Sequence, residues 1–122
     1  WKAWTDPAEL KQWYAPENLT TPVAELDLRT GGAYRITMRG KDGDHTAVGV
    51  FTAVEAPHTL AFSWKWEGSS EPETRILVTL KEVESGKTRV TLRHEGFADA
   101  QSREMHAQGW ESTFNKLEKH LG

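Results

Sequence analysis

The chain has 122 residues, which predicts a single domain over residues 1–122. Its 15 basic and 18 acidic residues give a net charge of −3, so no strongly basic surface for nucleic acid or anionic membrane is expected. The absence of cysteine excludes disulfides, thiol nucleophiles and cysteine-ligated zinc. No apolar run approaches the roughly 20 residues of a membrane span, so we expect no membrane span and a soluble, cytoplasmic protein.

Two short helices are predicted before residue 16, joined at Asp6. Asp6 is a favourable N-cap, and Pro7 takes the first helical position, where a missing N–H costs nothing. Glu9 completes a capping-box pattern, and Pro16 ends the second helix. Asp6 and Pro7 are therefore assigned a structural role.

The middle of the chain changes to a period of two, which is typical of strands with one buried face. Six segments show this period, at 23–29, 34–39, 46–55, 60–66, 76–80 and 90–94. Broken alternation in the third segment indicates a β-bulge. Gly31 and Gly32 form the first turn, and the Asp-Gly pair at 42–43 predicts a hairpin because it tolerates the positive φ of a primed turn. An antiparallel meander is the simplest topology, with a charged, solvated outer face.

A long helix is predicted at the C-terminus, over residues 99–121. Trp110, Phe114, Leu117 and Leu121 form one helical stripe, and Asp99 is a suitable N-cap. Such a helix is roughly 34 Å long at 1.5 Å per residue, long enough to cover one face of a six-stranded sheet. The chain is therefore predicted to be a single α+β unit.

Several segments, in this order along the whole chain, are shared with one protein family. They are AWTDP at 3–7, WY at 13–14 followed by Pro16, RTGG at 29–32, Gly49 with Val54, Ala56 and Pro57, LAFSW at 60–64, HEGF at 94–97 and HAQGW at 106–110. Together they resemble the activator-of-heat-shock-protein-90-ATPase-like family. The resemblance implies the helix-grip fold of the START-like (SRPBCC) superfamily, in which a curved antiparallel sheet wraps a long C-terminal helix around a hydrophobic cavity. Family members also carry a strand before the first helix, and we expect that strand to be missing here.

The side chains on the inward parity of the strands and helix are the candidates for lining that cavity. They are Trp13, Tyr34, Ile36, Met38, Phe62, Trp64, Trp66, Val78, Leu92, His94, Trp110 and Phe114. Ordinary core packing is the alternative interpretation of the same set. Against it, indole N–H groups fit poorly into a solid core unless each finds an acceptor, and a partly open pocket relieves that requirement.

A few residues are candidates for chemistry or for structural roles. His94 and Tyr34 are the candidates for general acid–base catalysis, although an inward histidine is more often satisfied by a neighbouring group. His106 is expected to pack and hydrogen-bond near the helix start, with Gly109 allowing close approach of the sheet. No metal or other cofactor is predicted, because the Asp42–His45 cluster of acidic and histidine side chains is explained by its hairpin turn.

Three hypotheses for function follow. We favour a non-enzymatic module that binds a small hydrophobic ligand, such as a lipid or a polycyclic aromatic, with a stress-related role as one expectation. A chaperone partner is the second, as a co-chaperone-like regulator of the heat-shock ATPase that the family name indicates. The third is a cavity enzyme of the cyclase or hydrolase kind, acting on polyketide or aromatic substrates. Monomer and homodimer both remain open.

Overall fold

The computed structural model describes residues 1–121, and its elements follow the predicted order. They are α1 (Lys2–Thr5), α2 (Pro7–Trp13), β1 (Thr20–Leu26), β2 (Ala33–Gly40), β3 (Gly43–Glu55), β4 (Thr59–Trp66), β5 (Thr74–Glu84), β6 (Lys87–Glu95) and α3 (Ala100–Leu121). The six strands form one antiparallel sheet in the order β1-β2-β3-β4-β5-β6. The predicted meander and helix-grip architecture are confirmed.

The two N-terminal helices meet at Asp6, as predicted. Its carboxylate accepts a hydrogen bond from the backbone N–H of Ala8 at 2.9 Å, and Pro7 opens α2. The second half of the capping box does not form. Glu9 instead lies 3.0 Å from His120 Nε2 on α3, and the backbone N–H of Asp6 donates to Lys2. A long-range contact has therefore replaced the local one.

The inward face of the sheet follows the predicted alternation. Tyr34, Ile36 and Met38 on β2 are buried, as are Leu60, Phe62 and Trp64 on β4 and Ile76, Val78 and Leu80 on β5. The predicted bulge in β3 is confirmed by a register shift between Phe51 and Ala53, and β1 has another between Thr20 and Val23. Bulges bend a strand and increase its twist, which favours the curl of this sheet around α3.

The first turn begins earlier than predicted, because β1 ends at Leu26 rather than at residue 29. Residues 27–32 form a compact loop, in which Gly31 takes φ 88° and donates its N–H to Phe51. A Cβ on Gly32 would lie 2.0 Å from the Asp27 carbonyl oxygen, so this position requires glycine. In the Asp-Gly hairpin, Gly43 takes the positive φ, at 111°, whereas Asp42 does not, so the turn is not a primed one.

Helix α3 begins as predicted, because Asp99 Oδ1 accepts from the backbone N–H of Ser102 at 2.8 Å. Leu117 is buried on its inner side, whereas Leu121, the last member of the predicted stripe, is 64% exposed. The buried part of the stripe therefore ends at Leu117. Within residues 1–121, no helix is both long and apolar enough to cross a membrane.

The C-terminal half of α3 is fastened to the segment between α2 and β1. Ser112 accepts from the backbone N–H of Glu17 at 2.8 Å, and Lys116 donates to the carbonyl oxygen of Leu19 at 2.9 Å. Asn115 and Lys119 both donate to the Glu17 carboxylate, and these two bonds lower the pKa of Glu17. This end of the helix is fixed by contacts that the sequence pattern does not reveal.

Candidate ligand-binding cavity

A cavity of about 390 Å³ lies between the sheet and the N-terminal half of α3. Its wall consists of Tyr14, Pro16, Leu19, Met38, His45, Trp64, Trp66, Met105, His106, Gly109, Trp110 and Thr113. The volume falls within the roughly 300–1,000 Å³ of small-molecule pockets, and the wall is largely apolar and aromatic.

Three structural elements supply the wall. On the sheet, Trp64 and Trp66 point to the same side because side chains two residues apart on a strand share a face. On α3, Met105, Gly109 and Thr113 follow a spacing of four, which places them on one side of the helix. The segment that follows α2 closes the third side with Tyr14, Pro16 and Leu19.

The wall is partly buried and partly open. Trp64 is buried, and its ring centroid lies 5.4 Å from that of Trp66, 5.9 Å from Trp110 and 6.4 Å from Tyr14. His45 is exposed, and Met105 is 64% exposed. These two residues therefore lie at the mouth of the cavity, and the aromatic rings form its interior.

Trp110 is positioned by a hydrogen-bonded chain that leads back to the sheet. Its indole Nε1 donates to His94 Nδ1 at 3.1 Å. The His94 proton must then be on Nε2, which lies 2.7 Å from Thr74 Oγ1, and that hydroxyl donates to the Trp64 carbonyl oxygen at 3.1 Å. Both ring nitrogens of His94 are thus engaged, and its role here is to hold Trp110.

Burial keeps His94 neutral. It lowers the pKa of the imidazole to about 3, with a further contribution from the neighbouring His106. Tyr34, the other candidate acid–base residue, donates its hydroxyl to the backbone oxygen of Ser63. Burial raises the pKa of Tyr34 well above its usual value, with smaller contributions from Tyr14 and Glu73. Neither group has the pKa near neutrality that general acid–base catalysis favours.

The indole N–H groups differ in how they are satisfied. Trp13 donates to the carbonyl oxygen of Ala3 at 2.9 Å, and Trp110 donates to His94. The Trp64 N–H is buried and has no hydrogen-bond partner within residues 1–121. An unsatisfied buried donor costs about 1–3 kcal/mol, so this group requires an explanation.

The structure places the twelve predicted cavity residues in three locations. Four of them line the cavity: Met38, Trp64, Trp66 and Trp110. Three lie along a second groove of about 350 Å³ between β6 and α3: Leu92, His94 and Phe114. The other five are buried in the core away from both: Trp13, Tyr34, Ile36, Phe62 and Val78. Core packing thus accounts for these five residues.

Gly109 does not have the role that its sequence context predicts. A Cβ at this position would meet nothing within 4 Å, so the glycine does not permit close approach of the sheet. It faces the open space of the cavity instead. His106 hydrogen-bonds through Nδ1 to the Ser102 carbonyl oxygen at 2.8 Å, and its ring also forms part of the wall.

Sequence reasoning missed the wall residues that lie outside the strand pattern. They are Tyr14, Pro16, Leu19, His45, Met105 and Thr113. The spacing of residues 105, 109 and 113 could have indicated the helix side of the wall, because these positions form a second stripe beside Trp110. Tyr14 directly follows Trp13 in an aromatic pair, and nothing in the pair itself indicates which ring faces the cavity.

Within residues 1–121, no three histidine, aspartate or glutamate side chains converge into a group that could hold a metal ion. The cluster of residues 42–45 lies on the β2–β3 hairpin, where Asp44 pairs with Arg39 at 2.8 Å. That ion pair and the turn account for its acidic residues.

The comparisons agree with the fold described above. The family model described as Activator of Hsp90 ATPase homolog 1-like protein matches residues 1–122. The solved AHSA1 protein from Silicibacter pomeroyi is 28% identical with a TM-score of 0.82, over 98% of this chain and 85% of that one. A protein from Nitrosomonas europaea is 25% identical with a TM-score of 0.79, over 99% of this chain and 83% of that one. An AHSA1-like protein from Aeromonas hydrophila is 25% identical with a TM-score of 0.77, over 99% and 81%. No curated protein sequence matches the chain.

Proposed function

The chain belongs to the family of Activator of Hsp90 ATPase homolog 1-like proteins, and from that premise we propose that it binds a small, mainly apolar ligand in the cavity under α3. The observation that carries the proposal is the cavity itself. It has a volume of about 390 Å³, an interior of aromatic rings and an exposed mouth. An apolar wall of this kind favours ligands with hydrophobic or aromatic bodies.

The polar groups near the cavity support binding rather than acid–base catalysis. His94 is neutral and uses both ring nitrogens within the protein, and the Tyr34 hydroxyl is engaged with Ser63. The co-chaperone hypothesis depends on the family description. It is tested by the rate of ATP turnover by the chaperone with and without this protein, and an unchanged rate would exclude it.

The binding proposal is tested by filling the cavity from one helix position. Gly109→Leu places a side chain in the open space, whereas Gln108→Leu adds the same side chain to the exposed face next to it. The probe is anilinonaphthalene sulfonate, monitored by fluorescence and by native mass spectrometry. We expect the wild type and Gln108→Leu to bind one dye, and Gly109→Leu to bind it about tenfold more weakly or not at all.

Two measurements make this result decisive. Circular dichroism and thermal unfolding of all three proteins show whether the substitutions leave the fold intact. Equal dye affinity in the wild type and in a folded Gly109→Leu variant would contradict the proposal, because the dye would then bind outside this cavity. The absence of any binding to the wild type, with this dye and with the probes below, would also contradict it.

A further inference from the structure

Resting on the proposed function, we infer that the ligand carries a hydrogen-bond acceptor oxygen on its apolar body, and that the Tyr14 hydroxyl donates to it, beside the unpaired N–H of Trp64. Both residues form part of the cavity wall, and their ring centroids are 6.4 Å apart. Neither side chain donates a hydrogen bond to another group of residues 1–121, whereas other polar groups of the wall do.

Three polar side chains of the wall have partners within the protein, and one of them is His106, which bonds to the Ser102 carbonyl oxygen. Trp110 donates to His94, and Thr113 donates to the Gly109 carbonyl oxygen at 2.8 Å. The Trp64 N–H differs from these groups, since it is fully buried without a partner in residues 1–121. An indole nitrogen can donate but not accept, so the only group that can satisfy it is an acceptor.

Tyr14 supplies a second free donor next to Trp64. It is only 3% exposed, and its hydroxyl forms no hydrogen bond with residues 1–121, whereas the hydroxyl of Tyr34 is bonded to Ser63. Burial alone raises the pKa of Tyr14 far above its usual value, so the hydroxyl keeps its proton. The two buried side chains thus present a neutral O–H and a neutral N–H on adjacent rings.

The charges of the wall favour a ligand that carries an acceptor oxygen over a ligand that carries a cation. Aromatic rings can also bind a quaternary ammonium group through their faces. The wall contains no aspartate or glutamate to pair with such a cation, and its ionisable groups besides Tyr14 are two histidines, His45 and His106. A carbonyl or carboxylate oxygen is complementary to these donors, so ketones, esters and carboxylic acids with apolar bodies are the class we expect.

Four matched probes test this inference by calorimetry. Acetylnaphthalene and naphthalene share a ring system and differ in one carbonyl, whereas dodecanoate and dodecyltrimethylammonium share a chain and differ in their head groups. The wild type is expected to bind acetylnaphthalene more tightly than naphthalene, and dodecanoate more tightly than the ammonium compound. The better member of the two oxygen-bearing probes shows whether the oxygen belongs to a ring system or to a chain.

Tyr14→Phe removes the proposed donor and keeps the ring. The substitution breaks no hydrogen bond within residues 1–121, so we expect the thermal midpoint of the free protein to be unchanged or higher. The affinity for the preferred oxygen-bearing probe should fall about tenfold, while naphthalene binding stays the same. Tyr34→Phe is the control, because it removes a buried hydroxyl that does not line the cavity. It should lower the thermal midpoint and leave the affinities unchanged.

The outcomes separate the two proposals. If the probes bind but the carbonyl gives no advantage and Tyr14→Phe changes nothing, the inference is wrong while the binding function stands. Tighter binding of the ammonium compound would likewise overturn it, in favour of a cation held by the aromatic faces. If none of the four probes binds the wild type while the dye does, the inference fails and the binding function stands. If the dye fails to bind as well, both fail.

Discussion

The two halves of α3 are held to the rest of the molecule in opposite ways. Residues 111–121 bury Leu117 and Thr113 and are fastened by hydrogen bonds to Glu17 and Leu19. Within residues 1–121, a single hydrogen bond joins residues 100–110 to the sheet, from Trp110 to His94. Met105 in this half is mostly exposed, and Gly109 faces open space.

This difference shows how one helix can both stabilise a fold and leave a cavity under it. Apolar burial at one end supplies the packing that positions the helix. At the other end a gap lies between the helix and the sheet, and aromatic rings line this gap instead of filling it. The cavity therefore lies mainly under the half of the helix that has a single hydrogen bond to the sheet.

Truncating one residue in each half should give the largest contrast in stability. Leu117→Ala leaves a void in packed surroundings and is expected to lower the free energy of unfolding by about 2–5 kcal/mol. Met105→Ala removes an exposed side chain at the cavity mouth and is expected to cost less than about 0.5 kcal/mol. Urea unfolding of both variants measures the difference. Equal losses would mean that residues 100–110 pack as firmly as residues 111–121.

Features that depend on neighbouring residues could be predicted from the sequence, whereas contacts between distant residues could not. The period of two, the turn glycines and the caps at Asp6 and Asp99 are local signals, so the sheet and the helices could be predicted from them. The capping partner of Glu9 could not be predicted, because His120 lies 111 positions away along the chain.

The cavity was harder to predict, because periodicity gives the face of a residue but not its position under the helix. Phe62 and Trp64 share a face of β4, yet Phe62 packs on Tyr34, with ring centroids 5.3 Å apart, and Trp64 borders the cavity. Tyr14 lies on the wall because the chain leaves α2 there, and this turn depends on the tertiary arrangement. Such positions are known only once the crossing of helix and sheet is known.

Acidification should destabilise the fold through His94, the residue whose side chain joins residues 100–110 to the sheet. The pKa of His94 is about 3 in the folded state and about 6.5 in the unfolded state, so the unfolded state binds more protons between these values. The stability from neutral His94 is fully present above pH 6.5 and is lost as the pH falls. We expect a loss of about 1–2 kcal/mol between pH 7.5 and 5 after allowance for solvent screening. Urea unfolding at several pH values measures it.

His94→Asn provides the control for this pH dependence. The asparagine side chain can accept from Trp110 but does not titrate. The loss of unfolding free energy between pH 7.5 and 5 should therefore be smaller in this variant, by the part that His94 contributes in the wild type. Asp44 and Glu67 stay ionised over this range, because hydrogen bonds to Arg39 and Arg35 lower the pKa of their carboxyl groups. An identical slope in the wild type and the variant would show that a group other than His94 titrates.

A small effect of the opposite sign is expected at Gly109. Glycine in a helix interior costs roughly 0.5–1 kcal/mol relative to alanine, and a Cβ here would meet nothing within 4 Å. Gly109→Ala should therefore raise the free energy of unfolding by about that amount, whereas Ala107→Gly, on the exposed side of the same turn, should lower it similarly. Thermal unfolding compares the two variants. A loss of stability in Gly109→Ala would mean that the helix approaches the sheet closely at this point. The space beside Gly109 would then be filled by protein atoms and would not belong to the cavity.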